Sequence, residues 1–388
     1  MYRILTLNHI SQKGLSEFKE LHYHLSNDCA NPDAILVRSA DLHDVALPES
    51  LLAIGRAGAG TNNIPIETCS KRGIPVFNTP GANANAVKEL VIAALLIASR
   101  HVCQAWAFAH SVPHDMDEYD QYIENQKKQF AGMELPGKVL GVIGLGHIGL
   151  QVANAGIRLG MHVVGYDPAM TVRHAWQLSS DVILADDMEE VLSTADFLTL
   201  HVPFNKHTKH LMNAQRLKKL KPHTVLLNFA REGIVDNEAL IQELKEERVA
   251  QYICDFPNPQ FKGINNVICL PHLGASTKEA EENCAVMIAQ EIQEYLEKGT
   301  IHNSVNFPSV KLTRTEGQRL CIANRNIPNM VAQICSVLSD HHLNIIDMIN
   351  KSRDDIAYTL IDVDGKIETD IVVQLMKIDG VLKVRPIV

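Results

Sequence analysis

A chain of 388 residues with 46% hydrophobic and 21% charged residues is too long for one core of ordinary size, and reads as two or three globular domains. Its net charge of −9 and pI near 6.0 oppose bulk nucleic-acid binding, while single Arg and Lys side chains can still hold a small phosphorylated ligand. No apolar run approaches the ~18 residues of a membrane span and the opening MYRILTLNHISQKG has no signal-peptide core, so a cytoplasmic protein without membrane partners is expected.

Short apolar segments at 3–7, 34–37, 52–54 and 75–77 are predicted strands separated by polar helical stretches, which makes the first ~95 residues an α/β unit. Two turns in it place an arginine beside small residues directly after a strand: Arg38 in VRSA and Arg56 in GRAGAGTNN. Around Ala57 and Gly58 the backbone N–H groups are exposed in a way that suits a carboxylate or phosphate. NTPGAN, ending at Asn83, is a third turn of this series. A helix is predicted over 84–100, carrying the chain out of this unit, and the polar stretch 110–130 reads as a surface helix or loop.

The most informative segment follows. Residues 139–143 are a predicted buried strand, and Gly144, Gly146 and Gly149 form a G-x-G-x-x-G turn opening a helix over 149–159. Gly144 permits a tight turn, Gly146 lets backbone approach phosphate oxygens, and Gly149 lets helix and sheet pack closely, with the helix dipole aimed at the anion. A second strand, 162–166, delivers Asp167, an acid placed to accept ribose hydroxyls and repel a 2′-phosphate, so NAD is favoured over NADP. Further strands at 181–185, 197–202, 224–229, 251–254 and 266–270 alternate with helical segments, which indicates a doubly wound Rossmann-type parallel sheet. Candidates recur at strand C-terminal ends: Asp167, Val202 and Pro203, Arg231, Asp255 and His272.

Arg231, in NFAREGIVD, offers a planar donor fork able to grip a carboxylate and polarise an adjacent carbonyl; the bland reading is a salt bridge or cap. His272, in PHLGAST, is the side chain poised to take a hydroxyl proton as hydride leaves the same carbon; a lone structural histidine is its bland reading. Asp255 could accept a hydrogen bond from the nicotinamide carboxamide, or simply cap the turn DFPNP. No H-E-x-x-H or C-x-x-C spacing points to a metal, and the eight cysteines read as buried reduced thiols.

A helix over 276–298 ends at Gly299 and returns the chain to the first unit; 304–317 is linker-like. The last ~70 residues change style. Strands at 318–324, 343–350, 355–363 and 381–387 and helices after Pro328 and at 368–378 give a βαββαβ order, a small sheet with two helices on one face. The expected boundaries are 1–97 plus 280–305 for the first domain, 98–279 for the nucleotide domain, 306–317 for a linker and 318–388 for the C-terminal domain.

Together, VRSA, GRAGAGTNN, GLGHIG with Asp167, NFAREGIVD and PHLGAST resemble the D-isomer-specific 2-hydroxyacid dehydrogenase family, and within it the D-3-phosphoglycerate dehydrogenase branch. The resemblance implies a flavodoxin-like substrate domain and, at the C-terminus, an ACT regulatory domain. It implies oxidation of 3-phospho-D-glycerate with NAD, the first step of serine biosynthesis, with Arg231 orienting the carboxylate and His272 as acid/base. Arg38, Arg56, Ala57, Gly58 and Asn83 would serve the substrate, with Lys127 or Lys128 a lesser candidate. Gly144, Gly146, His147, Ile148, Gly149, Asp167, Val202, Pro203, Phe229, Ala230, Arg231, Asp255, His272, Leu273, Gly274 and Ala275 would contact NAD. L-Serine would bind between two ACT domains, with Asn324, Asn326 and Asn344 at the matching positions, in a dimer or tetramer.

The chain departs from the family at two places. Relatives usually carry a Glu shortly after the position of Asp255 that supports the catalytic histidine, whereas no acid occurs here from 256 to 278; Asp255, Asn258, Gln260 or a distant acid must substitute. Asn324 stands where a His is common, and Asn329 where a Gly is common. The alternatives are another D-2-hydroxyacid dehydrogenase, including one that reduces 2-oxoglutarate, or a non-catalytic NAD-sensing binding protein.

Overall fold

Sixteen strands form three sheets in the computed structural model, which describes residues 1–387. Contacts divide the chain into two units, one made of Met1–Asn83 with the chain from Lys278 onward, the other of Ala84–Thr277.

In the first unit, β1 (Tyr2–Leu7), β2 (Tyr23–Ser26), β3 (Ala34–Val37), β4 (Ala53–Arg56) and β5 (Val76–Phe77) pair in parallel in the order β2-β1-β3-β4-β5. This is the flavodoxin-like order. β3 is buried along its whole length, so it reads as an unbroken apolar run. The half-polar edge strand β2, YHLS, was not among the predicted strands. The helix Lys278–Lys298 packs on this sheet through Cys284, Ala285, Ile288 and Ile292.

The C-terminal residues of the same unit form β13 (Gln318–Arg325), β14 (Asn344–Arg353), β15 (Ile356–Asp364) and β16 (Val381–Ile387), an antiparallel sheet in the order β14-β15-β13-β16. Its two helices, Met330–Asp340 and Thr369–Met376, cover one face through Ile334, Leu338, Ile371 and Leu375, which is the expected βαββαβ arrangement. The other face is also covered. Cys321, Ala323, Tyr358, Leu360 and Ile387 share one core with Ile292, Tyr295 and Leu296 of the helix Lys278–Lys298.

A linker over 306–317 was expected; instead Phe307 and Val310 are buried and Ile301 bridges Val310. The reason is electrostatic as well as apolar. A helix leaves its last carbonyls without partners, and here arginines from the C-terminal sheet supply them. Arg385 donates to the carbonyls of Leu296 (2.6 Å) and Tyr295 (2.5 Å) while lying over the Tyr295 ring, and Arg319 donates to Lys298 O at 2.9 Å.

The second unit holds β6 (Val139–Ile143), β7 (His162–Tyr166), β8 (Ile183–Leu184), β9 (Phe197–Leu200), β10 (Thr224–Asn228), β11 (Val249–Cys254) and β12 (Val267–Cys269). All pair in parallel in the order β12-β11-β10-β9-β6-β7-β8. The order reverses between β6 and β9, the point where open α/β sheets bind nucleotides. The helix Ala84–Arg100, expected to lie mostly with the first domain, belongs here: its Val87, Val91 and Leu95 pack with Leu140, Val142 and Val152. His101, at φ 50°, ends it, and the helix Val102–Ser111 leaves at 63°. No single helix among the described residues is long and apolar enough to cross a membrane, although this bent pair passes by length and composition.

Candidate active site

The glycine turn stands at the carboxyl end of β6, beside the end of β9. Gly144 has φ 90°, and a Cβ there would meet the His201 carbonyl at 2.6 Å; a Cβ on Gly149 would lie 1.8 Å from Gly144 O. Both positions demand glycine. A Cβ on Gly146 would meet nothing within 4 Å, so that side of the turn is open to a ligand. Gly146 starts the helix His147–Arg158 without any side-chain cap, which leaves its first N–H groups available for an anion. Asp167 accepts from Leu145 N and Ala169 N, both at 2.8 Å, and so ties the end of β7 to the turn. Around the helix start, the rings of His147 and His174 meet edge-on at 4.7 Å, and burial, His174 and Arg173 together pull the His147 pKa down.

His201 was not singled out from sequence. Its Nε2 pairs with Thr199 Oγ1 at 2.9 Å, its Nδ1 is shielded without a partner, and burial pushes its pKa down to about 3, so a neutral imidazole lies under the turn.

Three adjacent parallel strands deliver the remaining candidates to the same edge of this sheet. β10 ends in Asn228, fully buried, whose amide donates to Arg231 O at 2.9 Å and accepts from Ala230 N at 3.2 Å. A polar residue closing the apolar run TVLLN is the sequence signal that could have marked this brace. It holds an extended Arg231, whose Nη1 contacts Ala230 O at 2.6 Å. Arg231 keeps an exposed side chain, and desolvation by the surrounding protein lowers its pKa without removing its charge.

Asp255, 1% exposed, directly follows β11, and its carboxylate accepts from Leu273 N at 2.6 Å and Gly274 N at 2.7 Å. These are backbone groups of the loop after β12, so Asp255 clamps the segment that carries His272. A Cβ on Gly274 would come within 3.1 Å of the Asp255 carboxylate. His272 itself has φ 57°, a left-handed conformation that a non-glycine residue holds only when its surroundings impose it. Its N–H reaches the carbonyls of Asp255 (3.1 Å) and Leu270 (3.0 Å), and its exposed ring stands edge-on to Phe256 at 5.3 Å.

Of the groups considered as the histidine's support, Asp255 gives both oxygens to backbone, and Asn258 donates to Glu232 at 2.7 Å while accepting from Gln260 N at 2.9 Å. No carboxylate among the described residues forms an ion pair with His272. Phe229 is buried, while Ile148, Val202, Ala230 and Ala275 are part-exposed and Pro203 and Leu273 exposed along this edge.

In the first unit, the loops after β3 and β4 bring Arg38, Arg56, Ala57 and Gly58 together. Arg56 Nε donates to Arg38 O at 3.0 Å, Ala57 N to Val37 O at 2.8 Å, and a Cβ on Gly58, at φ 150°, would collide with the Arg56 guanidinium. Arg38 is ion-paired with Glu281 at 2.7 Å, a partner 243 positions away that no local pattern announces. Asn83 Oδ1 is shielded and unpartnered. Lys127 and Lys128 lie in a surface 3₁₀ turn, Lys127 paired with Glu124.

In the C-terminal sheet, Asn324 and Asn326 line one cavity of about 160 Å³ with Asn329, Met330 and Asn350. Asn324 is 1% exposed, and its Oδ1 has no partner. Asn344 is not brought to them: it faces Asp364 at one end of β15, while Asn324 faces Ala357 at the other. Among the described residues no cluster of three or more His, Cys, Asp or Glu could hold a metal.

Residues 92–274 match the family model described as D-isomer specific 2-hydroxyacid dehydrogenase, NAD binding domain. The chain is 34% identical over 332 residues to D-3-phosphoglycerate dehydrogenase of Methanocaldococcus jannaschii, covering 82% of this chain but 59% of that longer one. It is 36% identical over 322 residues to D-3-phosphoglycerate dehydrogenase of Haemophilus influenzae, covering 79% of this chain and 74% of that one. Among solved structures, NAD+-bound 3-phosphoglycerate dehydrogenase of Entamoeba histolytica superposes with a TM-score of 0.61 at 25% identity, over 79% of this chain and 98% of that one.

Proposed function

This chain belongs to the D-isomer-specific 2-hydroxyacid dehydrogenases, on the D-3-phosphoglycerate dehydrogenase branch, and from that premise we propose that it oxidises 3-phospho-D-glycerate to 3-phosphonooxypyruvate, the first step of L-serine biosynthesis. The cradle fits NAD: the turn is filled at Gly144 and Gly149 and open at Gly146, and Asp167 keeps lone pairs for ribose hydroxyls beyond the two N–H bonds it accepts. Bound there, NAD supplies the hydride acceptor. Arg231 grips the substrate carboxylate and polarises the carbon–oxygen bond being oxidised. The proton on the substrate's 2-hydroxyl oxygen passes to a ring nitrogen of His272. Arg38 and Arg56 are the candidates for the substrate's phosphate or carboxylate.

The observation that carries this reading is the adjacency of β10, β11 and β12, whose ends present Arg231, Asp255 and His272 on the carboxyl edge that also bears the glycine turn. The test is NADH formation with 3-phosphoglycerate, glycerate, lactate and, in reverse, 2-oxoglutarate. Turnover of 3-phosphoglycerate at least tenfold above the unphosphorylated acids is expected; equal or greater turnover of another acid overturns the substrate assignment. The absence of a carboxylate ion pair on His272 favours one alternative, an NAD-sensing protein, which would bind NAD and turn over none of these acids.

Regulation and assembly extend the proposal. The helix Val102–Ser111 buries no side chain and exposes Trp106 at 62% and Val102 at 47%, so a second copy of the chain is the partner proposed for it. A copy is also what would carry Asn344 to the Asn324 and Asn326 cavity, where the α-amino and carboxylate groups of L-serine find amide partners. Activity unchanged in millimolar serine removes that part. The proposed location is the cytoplasm.

A further inference from the structure

Cys254 ends β11 and Cys269 ends β12; the two residues are register partners on neighbouring parallel strands. Their side chains therefore leave the sheet on the same face, and their sulfurs lie 3.6 Å apart, with Cys254 also donating to Phe256 O at 3.4 Å. Neighbouring strands run ~4.8 Å apart, inside the Cα separation of ~4.4–6.8 Å that a disulfide tolerates. The thiols differ in access, Cys254 being buried and Cys269 partly exposed. Each stands immediately before the site: Cys254 precedes Asp255, Cys269 precedes the loop of His272, and Leu270 N donates to Cys254 O at 2.8 Å. The reading of all cysteines as inert buried thiols cannot separate this pair from the rest, because the partners are 15 positions apart and become neighbours only through strand pairing.

We propose that Cys254 and Cys269 form an oxidisable dithiol, closed to a disulfide by hydrogen peroxide and reopened by thiols, that switches the loop carrying His272. Cys269, as thiolate, attacks one peroxide oxygen; the O–O bond breaks, and the departing hydroxide leaves as water with the thiol's former proton. The resulting sulfenic sulfur is attacked by Cys254, the S–O bond breaks, and a second water leaves with the proton of Cys254. Two thiols lose two electrons and two protons, and one peroxide is reduced to two waters. Cys269 is the thiol of the pair that reaches solvent, while burial pushes the Cys254 thiol up, which assigns the first attack to Cys269. Closure draws the sulfurs from 3.6 Å to ~2.05 Å. Closure turns both side chains at the strand ends beside Asp255 and the loop it clamps, and so weakens that clamp of two N–H bonds.

The activity readout rests on His272 acting as proposed above; the chemical readout does not. The full-length protein is treated with hydrogen peroxide, blocked with iodoacetamide and digested with trypsin, which separates the cysteines into peptides 249–262 and 263–278. A species two hydrogen masses below the sum of these peptides is expected, together with an at least fivefold loss of NADH formation that dithiothreitol restores. Cys269→Ser removes both effects, whereas Cys335→Ser, at a partly exposed cysteine of the helix Met330–Asp340, retains both. No linked peptide, a linked peptide with unchanged turnover, or full inhibition surviving in Cys269→Ser each overturns the proposal. A linked peptide in a protein that never turned over any hydroxy acid leaves the dithiol standing and fails the enzymatic reading instead.

Discussion

Asp255, directly after β11, and Asp362, inside β15, are both buried carboxylates, and the groups that satisfy them are of opposite kinds. Asp255 is held by two backbone N–H groups of the His272 loop. Asp362 receives the fork of a fully buried Arg319 at 2.6 and 2.8 Å, with Thr315 as a further donor at 3.0 Å. Burial raises the Asp255 carboxyl, and its N–H bonds counter that only in part. Burial acts on Asp362 in the same direction, but the Arg319 fork and Thr315 bring it below the usual carboxylate range. One region therefore uses a buried charge to hold a strained, exposed histidine in place, and the other uses a neutralised pair to lock a sheet onto a helix end. Charge burial of similar depth serves geometry in the first case and architecture in the second.

Removing the group that each carboxylate ultimately serves should separate the two. His272→Ala should lower kcat by ~10²–10⁴-fold, the span of a lost general acid–base catalyst, with NAD affinity changed less than threefold by fluorescence titration. A variant retaining a tenth or more of wild-type kcat would put the acid/base elsewhere. Arg319→Ala should act oppositely. It leaves Asp362 buried without a cation and strips donors from the carbonyls of Lys298, Leu312 and Thr313, a loss of about 3–5 kcal/mol. Urea unfolding should show that loss, while kcat per folded molecule stays within twofold.

The two regions also differ in how far they could be read from sequence. The glycine turn, Asp167, Arg231 and His272 are local signals: each follows its own strand, and the parallel, doubly wound sheet follows from the alternation of strands with helices. The βαββαβ order at the C-terminus is equally local. Its docking is not. Arg385 finds its carbonyl partners 89 and 90 positions upstream and Arg319 finds Asp362 43 positions downstream, so neither strand differs in pattern from one whose arginines face solvent. The segment 304–317 looked like a linker because its composition is polar and it contains Pro308, yet Phe307 and Val310 are buried. Asp255 was noted for its position at a strand end, but its service to Leu273 and Gly274 needed the loop after β12 to fold back onto β11.

Asp255→Asn tests the clamp itself. An amide oxygen can accept one of the two N–H bonds comfortably and its NH₂ opposes the other, so about 1.5–3 kcal/mol of hydrogen bonding to a charged group is lost. The expected result is a kcat lower by roughly ten- to a hundredfold, with Arg231-dependent substrate affinity nearly unchanged. A kcat within twofold of wild type would mean that the left-handed His272 is held by Phe256 and the sheet alone.

Glu291 supplies the third term of the series and the smallest expected effect. This acid of the helix Lys278–Lys298 is 8% exposed, has one oxygen on Asn303 and the other without a partner, and burial lifts its pKa to about 8. A carboxyl whose pKa is higher in the fold than in the unfolded chain favours the folded state at low pH. That contribution is complete below the ordinary value of 4.5 and is lost as pH rises toward about 8. Wild-type protein should therefore lose melting temperature between pH 5 and pH 9 more steeply than Glu291→Gln, with the variant the more stable at the alkaline end. Asp362, with its guanidinium, contributes in the reverse direction, losing stability only as pH falls below the carboxylate range. Parallel melting curves for Glu291→Gln and wild type across that interval would mean that Glu291 is ionised in the fold, and that a single amide partner suffices where Asp255 uses two N–H groups and Asp362 a cation.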